Sequence, residues 1–239
     1  MIRDKFKLQD MRIDLFRDLD PHILQKWEDI AVSYHLKAGE KLYSQGELAT
    51  AFYIILQGGV RLVEYTPGGK AVTIKVYGKR DFFGLLALTR EHKHAATVEA
   101  VGDTRIIAFR AGEARQLLTE HGIVAVRLLD CMTTHVHHSH DRIRHLAAEK
   151  TEKRLARALL HFHRKFGYVE GQRYVIDAEL SQRDISEFTG TTIETVNRYL
   201  RTWEKSGWIE LSYKHIDILD PHALEDIAAA ASQHGYMPE

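Results

Sequence analysis

Glu194, Asn197, Arg198 and Arg201 recur at spacings of three and four, so a helix through them gathers all four on one face. A carboxylate accepts from cytosine N4 and a guanidinium forks onto guanine O6 and N7, so such a face can read the major groove of DNA. The competing reading is an ordinary solvated helix whose start, Thr191-x-x-Glu194, is a capping box. The surrounding elements weigh between the two. Thr191 and Thr192 open the helix, and Val196, Tyr199, Leu200 and Trp203 form its inward side. Just upstream, Ser181-x-x-Asp184 starts a shorter helix carrying Ile185 and Phe188, and Gly190 supplies the turn between the two. Ser186 is small enough to sit where they cross. Two helices joined by a tight glycine turn make a helix-turn-helix. Trp208 to Leu211, Lys214 and Ile216 to Leu219 then read as a short β wing, and Asp220-Pro221 caps a terminal helix through about Ala231.

A second group of chemistry-bearing residues lies in a long helical stretch from about 123 to 148, where several of the 15 histidines fall between His135 and His145. Leu129, Met132, Val136, Ser139, Ile143 and Leu146 alternate spacings of three and four through this stretch, the a/d pattern of a coiled-coil seam. Packing against the chain's own β region is the alternative. In a parallel pair of such helices His135 falls at g and His140 at the following e, which face each other. Neutral imidazoles there could share a hydrogen bond or a divalent metal, and protonation would set cations against each other.

The preceding region is different in kind. Asp20-Pro21 opens a short helix through about Ile30 with Ile23, Leu24 and Trp27 on one side. From Tyr34 to Phe109 short apolar runs (Phe52 to Leu56, Val60 to Tyr65, Ala71 to Val76, Thr104 to Phe109) alternate with glycines, the pattern of a β sandwich or barrel. Pro67-Gly68-Gly69-Lys70 reads as a hairpin turn. A helix around Ala114 to Leu118 precedes the long one. Another, Glu149 to Phe166, follows it with Leu155, Leu159, Leu160 and Phe162 inward, so Asp141 to Thr151 is the expected hinge.

With 239 residues, 44% hydrophobic and 28% charged, the chain has the size of two globular domains and lies far from disordered compositions. Its single cysteine, Cys131, excludes an intrachain disulfide framework and any cluster built from several cysteines of one chain. The N-terminus lacks the pattern of a signal peptide and no stretch resembles a membrane span, so the expected location is the cytoplasm, with no membrane partner. Lys+Arg and Asp+Glu both number 33, so any affinity for DNA must come from a local surface. No nucleophile–base pair, phosphate-binding glycine loop or cluster of carboxylates suggests an enzyme.

The order of parts resembles the Crp/Fnr superfamily of bacterial transcription regulators over nearly the full length. The resemblance rests on Ala51-Phe52-Tyr53-Ile54-Ile55-Leu56-Gln57-Gly58-Gly59-Val60-Arg61-Leu62, on Asp81-Phe82-Phe83-Gly84, on Ala96-Thr97-Val98-Glu99-Ala100 and on Thr191-Thr192-Ile193-Glu194-Thr195-Val196-Asn197-Arg198. It implies an α+β architecture. Residues 1–147 would form a β-roll (double-stranded jelly-roll) effector domain that includes a dimerisation helix at about 123–147. Residues 148–239 would form a winged helix-turn-helix domain. It further implies a homodimer on an inverted-repeat operator in double-stranded DNA, with RNA polymerase as a partner if the protein activates; the alternative is a ligand-binding regulatory or interaction module whose DNA reader has decayed. On the recognition helix Ile193, Glu194, Asn197 and Arg198 look Fnr-like, with Asn in a Ser place.

For the effector pocket the resemblance points to Phe83, Gly84, Leu85, His94, Ala95, Ser139 and His140. Family members that bind cyclic nucleotides hold the ribose with a Glu after Phe-Gly and the cyclic phosphate with an Arg-Ser pair. Here Leu85 stands in the Glu place and His94-Ala95 in the Arg-Ser place. An Arg fork to a charged group contributes about 1.5–3 kcal/mol that a mostly neutral His does not replace. Cyclic AMP is therefore not the expected ligand, and an Fnr-type cluster lacks its cysteines. Haem, another small effector or none remains, with His94 and His140 as histidines that could face one pocket. The ordinary alternative is that both are exposed polar residues. Neither a cofactor nor a metal is fixed by these residues.

Overall fold

The structure, a computed structural model, describes residues 6–229 apart from 12, 67, 69, 70, 90, 91, 179, 213 and 214; at 135, 138 and 141–148 it describes the backbone only. The chain divides into two compact units, Met1–Val136 and His137–Glu239.

In the first unit two 3-10 turns lead into α1 (Pro21–Asp29). Asp20 caps it, its carboxylate accepting from the His22 amide at 2.8 Å, while Pro21 occupies a first-turn position whose missing N–H costs nothing. Eight strands follow: β1 (Ala31–Leu36), β2 (Lys41–Tyr43), β3 (Ala51–Gln57), β4 (Val60–Tyr65), β5 (Ala71–Tyr77), β6 (Phe82–Phe83), β7 (Thr97–Ala100) and β8 (Thr104–Arg110). They form two antiparallel sheets, β1-β8-β3-β6 and β2-β7-β4-β5.

The alternation of β3 explains why five of its residues in a row are buried. Tyr53 and Ile55 point into a core shared with Tyr43, Tyr77, Phe83 and Val98 of both sheets. Phe52 and Ile54 point the other way, where Trp27 of α1 and Phe109 of β8 complete an aromatic cluster. Trp27 is fully buried, its ring edge-on to Phe109 at 5.6 Å. β4 and β5 pair from Tyr65↔Ala71 to Val60↔Tyr77, as a hairpin should; Pro67, Gly69 and Lys70 of its turn lie outside the described residues.

After β8 come α2 (Ala111–Glu120) and the 27-residue α3 (Gly122–Ala148). In the first unit Val124 and Leu128 of α3 are buried in the Trp27 cluster, and Cys131 packs beside them. Among the described residues no helix is long and apolar enough to cross a membrane.

The second unit contains α4 (Thr151–Phe166), β9 (Gly167–Glu170), β10 (Arg173–Ile176), α5 (Gln182–Thr189), α6 (Ile193–Lys205), β11 (Ile209–Ser212), β12 (His215–Ile218) and α7 (Pro221–Ala229). Leu155, Leu159 and Phe162 of α4, Ile185 of α5, Val196, Leu200 and Trp203 of α6, Ile218 and Leu224 are all buried. The sheet runs β11-β12-β10-β9, so the expected wing exists but is half of a four-stranded sheet. The hairpin β9–β10 has no counterpart in the sequence reading. The hinge is also narrower than 141–151, because α3 stays helical to Ala148 and only Glu149 and Lys150 separate it from α4. Lys214 and the residues beyond 229 lie outside the described residues.

Candidate DNA interface and effector pocket

Two caps position the helix pair. Ser181 and Asp184 form a reciprocal capping box at the start of α5: the Asp184 carboxylate accepts from the Ser181 amide at 2.8 Å, and the Asp184 amide donates to Ser181 Oγ at 3.2 Å. The helix ends at Gly190, which adopts a left-handed φ of 63° while the Gly190 and Thr191 amides both donate to the Ser186 carbonyl. Ser186 is buried at the crossing, as its size requires. α6 is capped by Thr192, whose hydroxyl accepts from the Thr195 amide at 3.2 Å. The Thr191-x-x-Glu194 capping box is therefore not formed, and Glu194 is left to the surface.

Around α6 the two faces are opposed. Val196, Leu200 and Trp203 are buried, whereas Glu194, Arg198 and Arg201 are exposed and Asn197 is half-buried between them. Arg198 rests over the Tyr199 ring at 5.3 Å, and among the described residues neither Glu194 nor Arg201 has an ion-pair partner. Thr192 is exposed and Thr191 partly so, at the end of α6 where helix amides are open. Ile193, exposed to 44% in the first turn, joins this surface. An exposed branched residue in the first turn of the second helix of a helix-turn-helix is a signal visible in the sequence, since thymine offers a methyl group to apolar side chains.

On the β roll, Gly84 turns with φ 79°, and Leu85 begins the 3-10 turn Leu85–Leu88. Phe83 is buried and stacks on Tyr53 at 5.2 Å. His94 is also buried rather than exposed, lying flat on Tyr43 with centroids 3.5 Å apart, while its own amide donates to the Glu47 carbonyl. This overturns the reading of His94 as an exposed loop residue; Ala95 beside it is exposed. Burial lowers the imidazole pKa from its ordinary value, against an opposing pull from Glu47. The same burial raises the phenols: Tyr53 and Tyr77 are each pushed up to about 12, and Tyr43 rises further. Those tyrosines are neutral at any physiological pH. Tyr43, Tyr53, Tyr77, Phe83 and His94 thus form one run of ring contacts, of which Tyr43 and Tyr77 went unmarked in the sequence. Ser139 and His140 belong to the second unit and are exposed. Among the described residues no group of three or more His, Cys, Asp or Glu could hold a metal.

The α3 stripe is exposed in the first unit: Leu129 to 67%, Met132 to 39% and Val136 to 48%. Ile123 and Val126 are exposed as well and extend it toward the helix start. The buried side of the same turns is Val124 and Leu128, so packing on the chain's own β region uses other residues than the seam. The side chains of Ile143, Leu146 and His135 lie outside the described residues.

Two family models match this chain: a cyclic nucleotide-binding domain over residues 34–121 and a Crp-like helix-turn-helix domain over residues 153–227. The chain belongs to the Crp/Fnr superfamily. This Crp/Fnr protein is 25% identical over 212 residues to the nitrogen fixation regulation protein FixK of Bradyrhizobium diazoefficiens, covering 89% of this chain and 88% of that one. It is 27% identical over 218 residues to the cyclic AMP receptor protein of Thermus thermophilus, covering 90% and 96%. The solved structure of FixK2 from Bradyrhizobium japonicum superposes with a TM-score of 0.73 at 23% identity, over 84% of this chain and 99% of that one, a likeness of fold. The Crp/Fnr chain is accordingly a DNA-binding regulator of transcription.

Proposed function

We propose that this regulator acts as a homodimer on an inverted-repeat operator, with α6 of each copy in successive major grooves. The observation that carries this reading is the face of exposed Glu194, Arg198 and Arg201 with half-buried Asn197 between them, set opposite the buried Val196, Leu200 and Trp203. Glu194 and Arg198 read base edges, Arg201 and Asn197 extend the contact, Ile193 meets a thymine methyl, and Thr191 and Thr192 anchor the helix start at phosphates. Dimerisation runs along Leu129, Met132, Val136, Ser139, Ile143 and Leu146, lengthened by Ile123 and Val126. In this scheme residues 1–147 are the effector and dimer half and 148–239 the reader. The protein works as a regulator rather than an enzyme, and RNA polymerase joins it where it activates.

The residues of the pocket do not fit cyclic AMP. Leu85 offers no ribose acceptor, His94-Ala95 offers no guanidinium, and His94 is buried with its ring on Tyr43. A haem iron would have to draw His94 away from that ring.

A footprint of the full chain on its own upstream region tests the proposal. Two protected half-sites about one helical turn apart are expected, each with the TGA-like core that the Fnr-like Glu194 and Arg198 imply by family resemblance; protection without a repeat, or none, would refute it. Cyclic AMP should leave the footprint unchanged.

A further inference from the structure

The last carbonyls of a helix have no partner within it and carry partial negative charge. Two such ends meet in the second unit. α3 stops at Ala148, directly before Glu149, and α5 stops at Thr189. The guanidinium of Arg154 donates to both: Nη1 to the Glu149 carbonyl at 2.7 Å and Nε to the Thr189 carbonyl at 3.0 Å. Its third nitrogen reaches Thr151 Oγ1 at 3.4 Å.

Arg154 sits in the first turn of α4, where its own helix end repels a cation. The two foreign C-termini compensate that repulsion. A planar fork holds its donors in fixed directions toward the two carbonyls, whereas a Lys ammonium carries its three donors on one atom at the end of a flexible stem and fixes the carbonyls less firmly relative to each other.

Glu149 is held a second time. Its carboxylate, 7% exposed, pairs with Lys153 at 3.4 Å and Arg157 at 3.3 Å, and Arg157 donates to the Ala228 carbonyl in the last turn of α7 at 2.8 Å. The two-residue joint is thereby fixed to the winged-helix framework through both its backbone and its side chain. Thr189, at the other end of the Arg154 bridge, immediately precedes the left-handed Gly190 that sets the angle between α5 and α6.

We infer that Arg154 is a positioning residue that makes the joint after α3 and the turn before α6 move as one piece, so that the end of the long helix sets the aim of the reading helix. The inference rests on α6 being the DNA reader for its consequence on binding, although the coupling itself can be measured without DNA.

The test compares the full-length wild type with Arg154→Lys, which keeps the charge, and Glu149→Gln, which keeps the backbone carbonyl. In Arg154→Lys, amide exchange should quicken together at residues 149–151 and 189–192 while Leu159 and Leu160 stay protected. Preference for the operator over random DNA should fall by about tenfold or more, with random-DNA affinity held within about twofold. Glu149→Gln should lose less of that preference. Exchange that rises at only one of the two segments, or an operator preference unchanged in Arg154→Lys, overturns the inference. A wild type without operator preference refutes instead the reading of α6, and the exchange result then decides the coupling alone.

Discussion

The imidazole of His94 lies flat on the Tyr43 ring, 3.5 Å between centroids and 9° from parallel. In a domain matched by the cyclic nucleotide-binding model, a position expected to meet a ligand is spent on an internal stack. Protonation would put a cation into that buried site, with Glu47 the carboxylate acting on it.

This gives a pH dependence with a definite sign. The unfolded chain titrates His94 near its ordinary value of about 6.5, whereas in the fold the proton is held less tightly. Between the two values the unfolded chain binds more protons, so stability is complete above about pH 7 and falls as the pH drops below it. Urea unfolding of wild type and His94→Phe at pH 7.5 and 5.5 should show a larger loss of midpoint in the wild type. Equal losses would mean that His94 does not contribute to the acid sensitivity.

Gly84 offers a test of the adjacent turn. Its φ is 79°, and an added Cβ would stand 2.9 Å from Tyr53 Cδ2 and 3.1 Å from the Ala51 carbonyl. Gly84→Ala should therefore destabilise the β roll by roughly 1–3 kcal/mol. A thermal unfolding midpoint equal to wild type would show that the turn can relax around a methyl group.

The β roll was legible in outline because glycines punctuate apolar runs of strand length, and β4 matches its expected bounds. The hairpin β9–β10 was not, although Gly171 between Val169-Glu170 and Tyr174-Val175 carries a turn signal, with φ 62°. Its strands, Gly-Tyr-Val-Glu and Arg-Tyr-Val-Ile, do not alternate apolar with polar residues, whereas the equally short wing strands Ile-Glu-Leu-Ser and His-Ile-Asp-Ile do. Local chemistry left the start of α6 open between two adjacent threonines that could each cap, and the backbone places Thr192 at the N-cap. His94 shows the deeper limit. Nothing in His92-Lys93-His94 announces a buried ring, because its partner Tyr43 lies at the end of β2, distant in sequence, and the stack is purely tertiary. The division of α6 into a buried and an outward side, by contrast, follows from helical spacing alone.

The exposed stripe on α3 predicts the oligomeric state. Val136 is 48% exposed in the single chain, so Val136→Glu should not disturb its own fold. Two carboxylates facing across a parallel seam should convert the dimer to monomer in sedimentation at micromolar concentration, with the thermal unfolding of the β roll retained. A variant that stays dimeric would refute the heptad assignment.

If the outward face of α6 reads bases, Arg198 discriminates operator from random DNA. Affinity of wild type and Arg198→Ala should be measured on the footprinted operator and on random DNA at the same salt concentration. Arg198→Ala should lose about 1–3 kcal/mol on the operator with random-DNA binding nearly intact. Equal losses on both DNAs would make Arg198 a phosphate contact and contradict the claim.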